Sequence, residues 1–329
     1  MSTKGKVVVH RLSSVVLKGN PLGDPTDRDL HVYLPPDYDG LKVLPALLAV
    51  VGFTSTGGAL FNLDPFTEDL GHRADRLIVG GSCPPVIVVA PDCFTRVGGN
   101  QYINSTATGR YEDYLLEEVI PFVKKTYRTG PWGIFGKSSG GYGSIVLAMR
   151  HPEVFEAVAS HSGDAGFELC YLPEFADALD AWHDAGGPAQ WLDRFWADPN
   201  KKRKKHSRPL NMLAMSAHYS PNPCSPHLGI DFPFDLETGV FLPEVWERWR
   251  AWDPVNMVPK HVRELMSLRL IYVDCGKQDE YGLHWGARAL VKAMRREGLS
   301  PRYEEFDDGH MNVAYRYDVS VPALAKALQ

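Results

Sequence analysis

Short apolar segments alternate with helical patterns along most of this chain, and no other feature constrains its fold as strongly. The alternation runs from the N-terminus to about residue 162 and resumes at about residue 268. Several of the apolar segments are continuous, as strands buried on both faces of a sheet should be. The pattern predicts an α/β protein with a mostly parallel central sheet and helices on both faces. The predicted strands are Val7–Val9, Leu30–Leu34, Pro45–Val51, Val86–Ala90, Gly133–Phe135, Ala157–His161, Leu268–Asp274 and Arg302–Phe306.

The segment between residues 165 and 262 departs from this pattern. It holds six of the eight tryptophans, a basic run at Lys201–Lys205 and a proline-rich stretch at Tyr219–Pro226. A chain of 329 residues is long enough for two domains. We interpret residues 1–164 and 263–329 instead as one α/β core, and residues 165–262 as a cap inserted into it with a small aromatic core of its own.

Composition and charge exclude several classes of protein. The chain is 44% hydrophobic and 23% charged, with a formal net charge of −5, so it has no general basic field and nucleic acid is not an expected partner. Its longest apolar stretch, Val43–Phe53, is too short to cross a membrane, and the N-terminus lacks the pattern of a signal peptide. Five cysteines without a Cys-x-x-Cys pair suit reduced thiols. We therefore expect a cytoplasmic protein without a membrane partner or a metal site, and leave open whether it forms a homo-oligomer.

The most informative motif follows the strand predicted at Gly133–Phe135. The sequence Gly136-Lys-Ser-Ser-Gly140 has the G-x-S-x-G pattern and leads into a helical segment, which is the setting of a nucleophile elbow. Ser138 would occupy a strained turn with its hydroxyl above the sheet, while glycines at the flanking positions let the strand and helix backbones pass closely. The amide of Ser139, at the helix N-terminus, would face a developing oxyanion.

A phosphate-binding loop is the main alternative for this motif, because Gly136-Lys137-Ser138 resembles the end of one. Its pattern requires glycine at position 131, which is Pro131. The intervening residues, Trp132–Phe135, form an apolar strand instead of a flexible loop, so we reject this alternative.

A serine nucleophile needs a general base, and the base needs an orienting acid. In the elbow fold these follow the serine in the order acid, then histidine, on loops after later strands. His310 lies after the strand Arg302–Phe306, and Asp279 lies in the loop after Leu268–Asp274. We prefer Asp279 to Asp274, which ends the strand, and to its neighbour Glu280.

Other candidate site residues come from the strand ends. A second oxyanion donor is expected in the loop after Pro45–Val51, from the backbone amide of Phe53 or Thr54. His161 ends the strand that follows the elbow helix, where ligands bind in open α/β sheets, so it is a candidate to line the site, as is Lys137.

These segments together resemble the esterase D-like branch of the α/β-hydrolases, which contains S-formylglutathione hydrolase, enterochelin esterase, feruloyl esterases and mycolyltransferases. The resemblance rests on His31–Tyr38, Val51–Thr54, Tyr111–Pro121, Gly136–Gly143 and the loops that carry Asp279 and His310. It implies the α/β-hydrolase fold and the triad Ser138, Asp279 and His310. It also implies that Asn104 and Tyr111, in the segment before the elbow, line the site. Two departures leave the substrate open: Ser139 follows the nucleophile where these esterases usually have methionine, and the tryptophan-rich insertion is larger than usual.

The expected activity is that of a serine carboxylesterase which hydrolyses small to medium esters with an apolar or aromatic part, without a cofactor. Cap aromatics, Trp182 and Trp252 among them, could form the apolar pocket, although large aromatics also simply pack a core. A thioesterase, acyltransferase or peptidase could use the same triad. A non-enzymatic or nucleotide-binding protein is the more distant alternative.

Overall fold

The computed structural model describes residues 4–329, and within them an eight-stranded sheet forms the centre of the molecule. The strands of the described chain are β1 (Lys6–Ser13), β2 (Asp27–Leu34), β3 (Leu44–Val50), β4 (Ile87–Pro91), β5 (Asn104–Ser105), β6 (Gly109–Arg110), β7 (Thr129–Lys137), β8 (Phe155–His161), β9 (Leu270–Gly276) and β10 (Arg302–Phe306). The central sheet has the order β1-β2-β4-β3-β7-β8-β9-β10, and β5 pairs separately with β6. Strand β2 is antiparallel to β1 and β4, and the other neighbours are parallel. The predicted mostly parallel sheet is confirmed.

The strand register brings the carboxyl ends of the parallel strands to one edge of the sheet. Val50 of β3 pairs with Gly136 of β7, and the next residue, Lys137, pairs with His161 of β8. His161 in turn pairs with Asp274 of β9. Because the loops that follow these strands all begin at this edge, side chains far apart in sequence are brought close together there.

Helices cover both faces of the sheet. They are α1 (Leu70–Val79), α2 (Tyr111–Asp113), α3 (Ile120–Thr126), α4 (Ser139–Arg150), α5 (Phe167–Cys170), α6 (Phe175–Ala185), α7 (Pro188–Ala197), α8 (Lys204–Tyr219), α9 (Pro243–Arg250), α10 (Pro254–Met257), α11 (Val262–Ser267), α12 (Leu283–Arg296) and α13 (Tyr317–Ala327). A π-helical segment at Tyr114–Val119 joins α2 to α3, and 3-10 turns lie at Gly57–Phe61, Leu172–Glu174, Val258–Lys260 and Ala314–Arg316. Apolar side chains of α1 and α13 pack in one core cluster, and those of α4 and α12 pack in the other.

The tryptophan-rich segment lies between β8 and β9 and contains α5 to α11. Its aromatic rings pack mainly against each other: Trp182 lies 4.9 Å from Phe232, and Trp249 lies 5.2 Å from Tyr219, between ring centroids. Tyr219 also contacts Tyr142 of α4. These apolar side chains belong to the same core cluster as strand residues of the sheet, so the segment is packed firmly onto it.

No helix among residues 4–329 combines the length and the apolar character that crossing a membrane requires.

Candidate active site

Ser138 occupies a strained turn between β7 and α4. Its backbone has φ 59° and ψ −127°, a region that residues with a side chain rarely adopt. Two hydrogen bonds hold it there: its amide donates to the carbonyl of His161 at 2.9 Å, and its carbonyl accepts from the amide of Tyr142 at 2.9 Å. The end of the neighbouring strand and the first turn of the helix together keep this serine in place.

The two glycines that flank this turn permit a close backbone approach. A Cβ atom on Gly136 would lie 2.3 Å from the carbonyl oxygen of Val50, and one on Gly140 would lie 2.2 Å from the same atom. Such distances are far inside van der Waals contact, so any side chain at either position would push β3 away from the turn. The local geometry therefore requires glycine at both ends of the motif.

His310 and Asp279 form a buried hydrogen-bonded pair. The Nδ1 atom of His310 lies 2.7 Å from Oδ2 of Asp279, and the His310 backbone amide donates to Oε2 of Glu280 at 2.7 Å. The edge of the Tyr281 ring packs against the imidazole with centroids 4.8 Å apart. Two neighbouring acids thus make different contacts: Asp279 bonds the imidazole, whereas Glu280 bonds the main chain.

The electrostatic state of Asp279 suits this pairing. Burial alone would raise the pKa of its carboxyl, but the hydrogen bond and charge of His310, with amides from its own loop, hold that pKa below its ordinary value. The backbone amide of Tyr281 donates to Oδ1 at 3.0 Å. An ionised Asp279 can therefore fix the orientation of the His310 ring and favour the tautomer with its proton on Nδ1.

The loop after β3 lies directly beside Ser138. A Cβ atom on Gly52 would lie 3.2 Å from the Cβ atom of Ser138. The amide of Thr54 already donates to the carbonyl of Gly98 at 2.8 Å, which leaves the amide of Phe53 as the better placed of the two predicted donors. The Tyr102 hydroxyl braces the loop, since it accepts from the amide of Val51 and donates to its carbonyl.

A cavity of about 400 Å³ opens at this edge of the sheet. Ser138 and His310 both line it, with Ser139, Phe53, Thr54 and Lys137 of the predicted site. Its other walls are Val51, Gly52, Ser55, Leu60, Asp164, Cys170, Tyr171, Ser207, Asn211, Tyr281, Leu283, Met311 and Tyr317. The structure therefore brings residues from six separate segments of the chain to one cavity.

Two charged side chains give the cavity a polar wall. Burial lowers the pKa of Lys137, although the nearby carboxylates of Asp279, Glu280 and Asp164 oppose this effect. Burial raises the pKa of Asp164 to about 6, against the opposing hydrogen bond from Tyr171 and the charge of His310. The cavity is thus less apolar than the aromatic composition of residues 165–262 led us to expect.

His161 does not line this cavity, contrary to prediction. Its side chain is 1% exposed, and its ring bonds Oδ1 of Asp274 at 2.7 Å and Oγ of Ser320 at 2.8 Å. Asp274 also accepts from Tyr272 and Arg316. The reason is the strand alternation: the main chain of His161 supports Ser138, while its side chain points to the face covered by α13.

Asn104 and Tyr111 also lie elsewhere. Asn104 exchanges two hydrogen bonds with Asp113, which tie β5 to α2, and the Tyr111 hydroxyl is held in the core by a hydrogen bond from Arg28. Tyr111 is fully buried, and neither residue lines the cavity that contains Ser138.

The two tryptophans proposed for the pocket are likewise placed away from Ser138. Trp182 is 1% exposed and packs within the tryptophan-rich segment, beside a separate groove. The Trp252 ring lies under the guanidinium of Arg150, at 5.4 Å, and Arg150 ends α4 at the opposite end of that helix from Ser138. The prediction erred because most of these large rings fill the interior of the segment.

Sequence reasoning missed the side chains of the segment 165–262 that do line the cavity. These are Cys170, Tyr171, Ser207 and Asn211, together with Asp164 just before the segment. Asp164 had a usable signal, since it follows the strand that ends at His161 and so begins at the same edge of the sheet. Ser207 and Asn211 lie on α8, and Cys170 and Tyr171 lie at the end of α5, and no local pattern predicts how these helices pack. Among residues 4–329 no cluster of three or more histidine, cysteine or carboxylate side chains could hold a metal ion.

Comparison with known proteins relates this arrangement to a family of hydrolases. A curated relative, S-formylglutathione hydrolase from mouse, is 24% identical over 160 residues, which are 42% of this chain and 52% of that protein. The chain thus spans about half the length of this relative. Among solved structures, a ferulic acid esterase superposes with a TM-score of 0.64 at 21% identity, covering 99% of this chain and 98% of that one. The fluorophosphonate-binding serine hydrolase FphF from Staphylococcus aureus gives 0.61 at 18% identity, covering 99% of both chains.

These superpositions confirm the α/β-hydrolase fold predicted from the strand order and the elbow motif. The sequence model of one family, described as "Putative esterase", matches residues 25–320, which is most of the chain and includes the elbow and both loops at the strand ends. This match confirms the resemblance to esterases of the α/β-hydrolases that the sequence motifs indicated. On this match, the chain belongs to the putative esterase family of the α/β-hydrolases.

Proposed function

We propose that the protein is a serine carboxylesterase in which Ser138 is the nucleophile, His310 the general base and Asp279 its orienting acid. One observation carries the proposal: a serine on a strained turn and a histidine bonded to a buried carboxylate line the same cavity. A serine hydroxyl is a poor nucleophile unless a base removes its proton, and this arrangement provides one. Membership of the esterase family supports the choice of an ester as substrate.

In this mechanism His310 takes the proton of Ser138 through Nε2 while Oγ attacks the ester carbonyl. The oxyanion forms against the backbone amides of Ser139 and Phe53. His310 then gives the proton to the leaving alcohol, the C–O bond to that alcohol breaks, and an acyl-serine remains. Water repeats the two steps, releasing the carboxylic acid and restoring Ser138. Asp279 stays ionised throughout and stabilises the imidazolium.

The cavity supports small to medium esters with an apolar or aromatic part. Its volume of about 400 Å³ is near the lower end of the range for small-molecule sites. Leu60, Tyr281 and Met311 provide apolar surface beside Ser138, and Tyr281 and Met311 are 42% and 58% exposed. We propose that residues 165–262 act as a cap, because Tyr171 and Asn211 of that segment close one side of the cavity. We also propose that the reaction needs no cofactor.

The test is a substrate panel assayed with purified protein. It contains p-nitrophenyl acetate, butyrate and octanoate, methyl ferulate, the thioester S-formylglutathione and a p-nitroanilide of butyric acid. We expect hydrolysis of the shorter oxygen esters, and its loss in Ser138→Ala. Ser207→Ala is the matched control, because Ser207 is another serine that lines the cavity. We expect this variant to keep the activity. Hydrolysis unchanged in Ser138→Ala, or a preference for the anilide over every ester, would refute the proposal.

A further inference from the structure

Asp164 is a carboxyl group that the proposed reaction does not use. It lies in the loop after β8, is 6% exposed, and lines the cavity together with Ser138. Its neighbour in that cavity, Ser139, directly follows Ser138 in the chain. Any ligand that reaches Ser138 must therefore occupy space close to Asp164.

The hydrogen bonds of Asp164 all fall on one of its two carboxyl oxygens. Oδ2 accepts from the Tyr171 hydroxyl at 2.9 Å, from Oγ of Ser139 at 3.3 Å and from Nε2 of Gln101 at 3.5 Å. In the described chain, residues 4–329, Oδ1 has no partner. Oδ1 is not fully enclosed by protein atoms, and Asp164 lines the cavity, so Oδ1 is the oxygen available to a ligand there.

The charge of Asp164 is offset only in part, by the charges of His310 and Lys137. The carboxyl group makes no ion pair within residues 4–329, although Lys137 lines the same cavity. The charge of Lys137 also acts on the carboxylates of Asp279 and Glu280. A buried carboxylate with neutral donors on one oxygen and none on the other is costly to ionise, and a cation on the free oxygen would offset that cost.

We propose that Asp164 is a specificity residue which binds a protonated amine of the substrate through Oδ1. The inference rests on the proposed function, since it assigns the class of ester that Ser138 would meet: an ester with an alkylammonium group close to the scissile carbonyl. Neutral esters lack this contact and bind only through the apolar walls of the cavity. A charge-assisted hydrogen bond in a buried site is stronger than one between neutral groups, so the preference should be measurable.

The experiment compares n-butylammonium with n-butanol, which has nearly the same size but no charge. Dissociation constants are measured at pH 7.5 by ligand-observed NMR, on the wild type and on Ser138→Ala. We expect butylammonium to bind at least about 10-fold more tightly than butanol to both proteins. In Asp164→Asn, which keeps the shape of the side chain, the ratio should fall to within about 2-fold. Asp193→Asn is the control of equal charge change, because Asp193 is an exposed carboxylate that does not line the cavity.

The pH dependence of the wild type provides a test that needs no variant. Because burial raises the pKa of Asp164 to about 6, the preference for butylammonium should shrink between pH 7.5 and pH 5. The other titratable groups that face Asp164 are Lys137, Tyr142, Cys170, Tyr171, Glu174, Tyr219 and His310. Since these are all retained in Asp164→Asn, a pH effect that persists in that variant belongs to them and overturns the assignment.

The outcomes separate this inference from the proposed function. Binding to Ser138→Ala does not depend on turnover, so a preference for butylammonium would stand even if no ester were hydrolysed. Equal affinity for the two ligands in a protein that hydrolyses esters would overturn the role of Asp164 alone. A preference for butylammonium that survives in Asp164→Asn would overturn it as well.

Discussion

Two sets of serine, histidine and aspartate lie near the carboxyl ends of the parallel strands. In one set His310 bonds Asp279, and Ser138 lines the same cavity as His310. In the other, His161 bonds both Asp274 and Ser320, with distances of 2.7 and 2.8 Å. By residue type and hydrogen bonding alone, the second set is the more complete triad.

The surroundings of the two sets differ in ways that matter for chemistry. Ser320 lies within α13 and is 0% exposed, and Asp274 is also 0% exposed and carries an ion pair with Arg316. Ser138 stands on a strained turn at a helix N-terminus and lines a cavity. Of the two serines, Ser138 lines a cavity that a substrate could enter, whereas Ser320 is enclosed. From this difference we infer that a reactive serine would be distinguished by its backbone conformation and by access, more than by a bonded histidine.

Replacing each of the two serines with alanine should give the largest difference in kcat. Ser138→Ala removes the proposed nucleophile, and we expect a loss of about 10⁴-fold or more in kcat on p-nitrophenyl acetate. Ser320→Ala removes only a buried hydrogen bond, which costs about 1 to 2 kcal/mol of stability and should leave kcat within about 3-fold. Steady-state kinetics with thermal unfolding of both variants makes the comparison. A comparable loss of kcat in folded Ser320→Ala would break the distinction between the two sets.

Substitution of the two aspartates should affect different properties: Asp279→Asn should lower activity, and Asp274→Asn should lower stability. Asp279→Asn disturbs the orientation and tautomer of His310, so we expect kcat to fall by about 10⁴-fold with the fold intact. Asp274→Asn removes the buried charge that pairs with Arg316 and should cost about 3 to 5 kcal/mol of unfolding free energy.

Urea unfolding and kinetics on both variants separate these effects. If Asp274→Asn lost activity more than Asp279→Asn at a temperature where both are folded, the assignment of the acid would be wrong.

Asp164 and Asp274 are both buried, but their ionisation should affect stability with opposite sign. The pKa of Asp164 is raised by burial from 3.8 to about 6, so the folded state binds this proton more tightly than the unfolded chain. The contribution of Asp164 to the free energy of unfolding therefore falls by about 3 kcal/mol as the pH rises from about 4 to 6. Burial also opposes ionisation of Asp274, but the charges of His161 and Arg316 hold its pKa below the ordinary value. Its stabilisation is present above about pH 4 and is lost in acid.

Asp164→Asn should accordingly become more stable relative to wild type as the pH rises. The difference in unfolding free energy between variant and wild type should grow by about 3 kcal/mol between pH 4 and pH 8. Urea titrations at the two pH values measure it. A difference that is independent of pH would mean that Asp164 does not titrate in this window.

The smallest effect is expected at Glu280. Its carboxylate accepts from the main chain of His310 and does not touch the ring, so Glu280→Gln should lower kcat by less than about 10-fold. The same assay used for Asp279→Asn measures it. Equal losses in the two variants would show that the acid cannot be assigned to Asp279 alone.

Much of the fold could be predicted from local sequence because the strands are continuous apolar segments. All eight strands predicted for the sheet are present, with ends that differ by up to four residues, as at Thr129–Lys137. Ser138 was identifiable because Gly136 and Gly140 are required by contacts within one strand–turn–helix unit. Such a unit leaves its pattern in a short stretch of sequence.

The failures concern side chains whose role depends on distant packing. Strand alternation decides whether the imidazole of His161 faces the cavity or α13, and a one-residue change of register would reverse it. Trp182 and Trp252 were chosen for size, but a large ring is as useful inside a small core as in a pocket. Asn104 and Tyr111 came from a family resemblance, and here they fix the loop before α3 through Asp113 and Arg28.

Labelling with a fluorophosphonate tests whether Ser138 is the nucleophile, because this reagent reacts with activated serines. The modified residue can then be identified in the labelled protein. The wild type is incubated with the reagent, digested, and mapped by mass spectrometry. We expect one adduct per chain, on Ser138, which is lost in Ser138→Ala and Asp279→Asn and retained in Ser320→Ala. An adduct on Ser320 or on another serine, or no adduct in an enzyme that hydrolyses esters, would refute the assignment of Ser138 as the nucleophile.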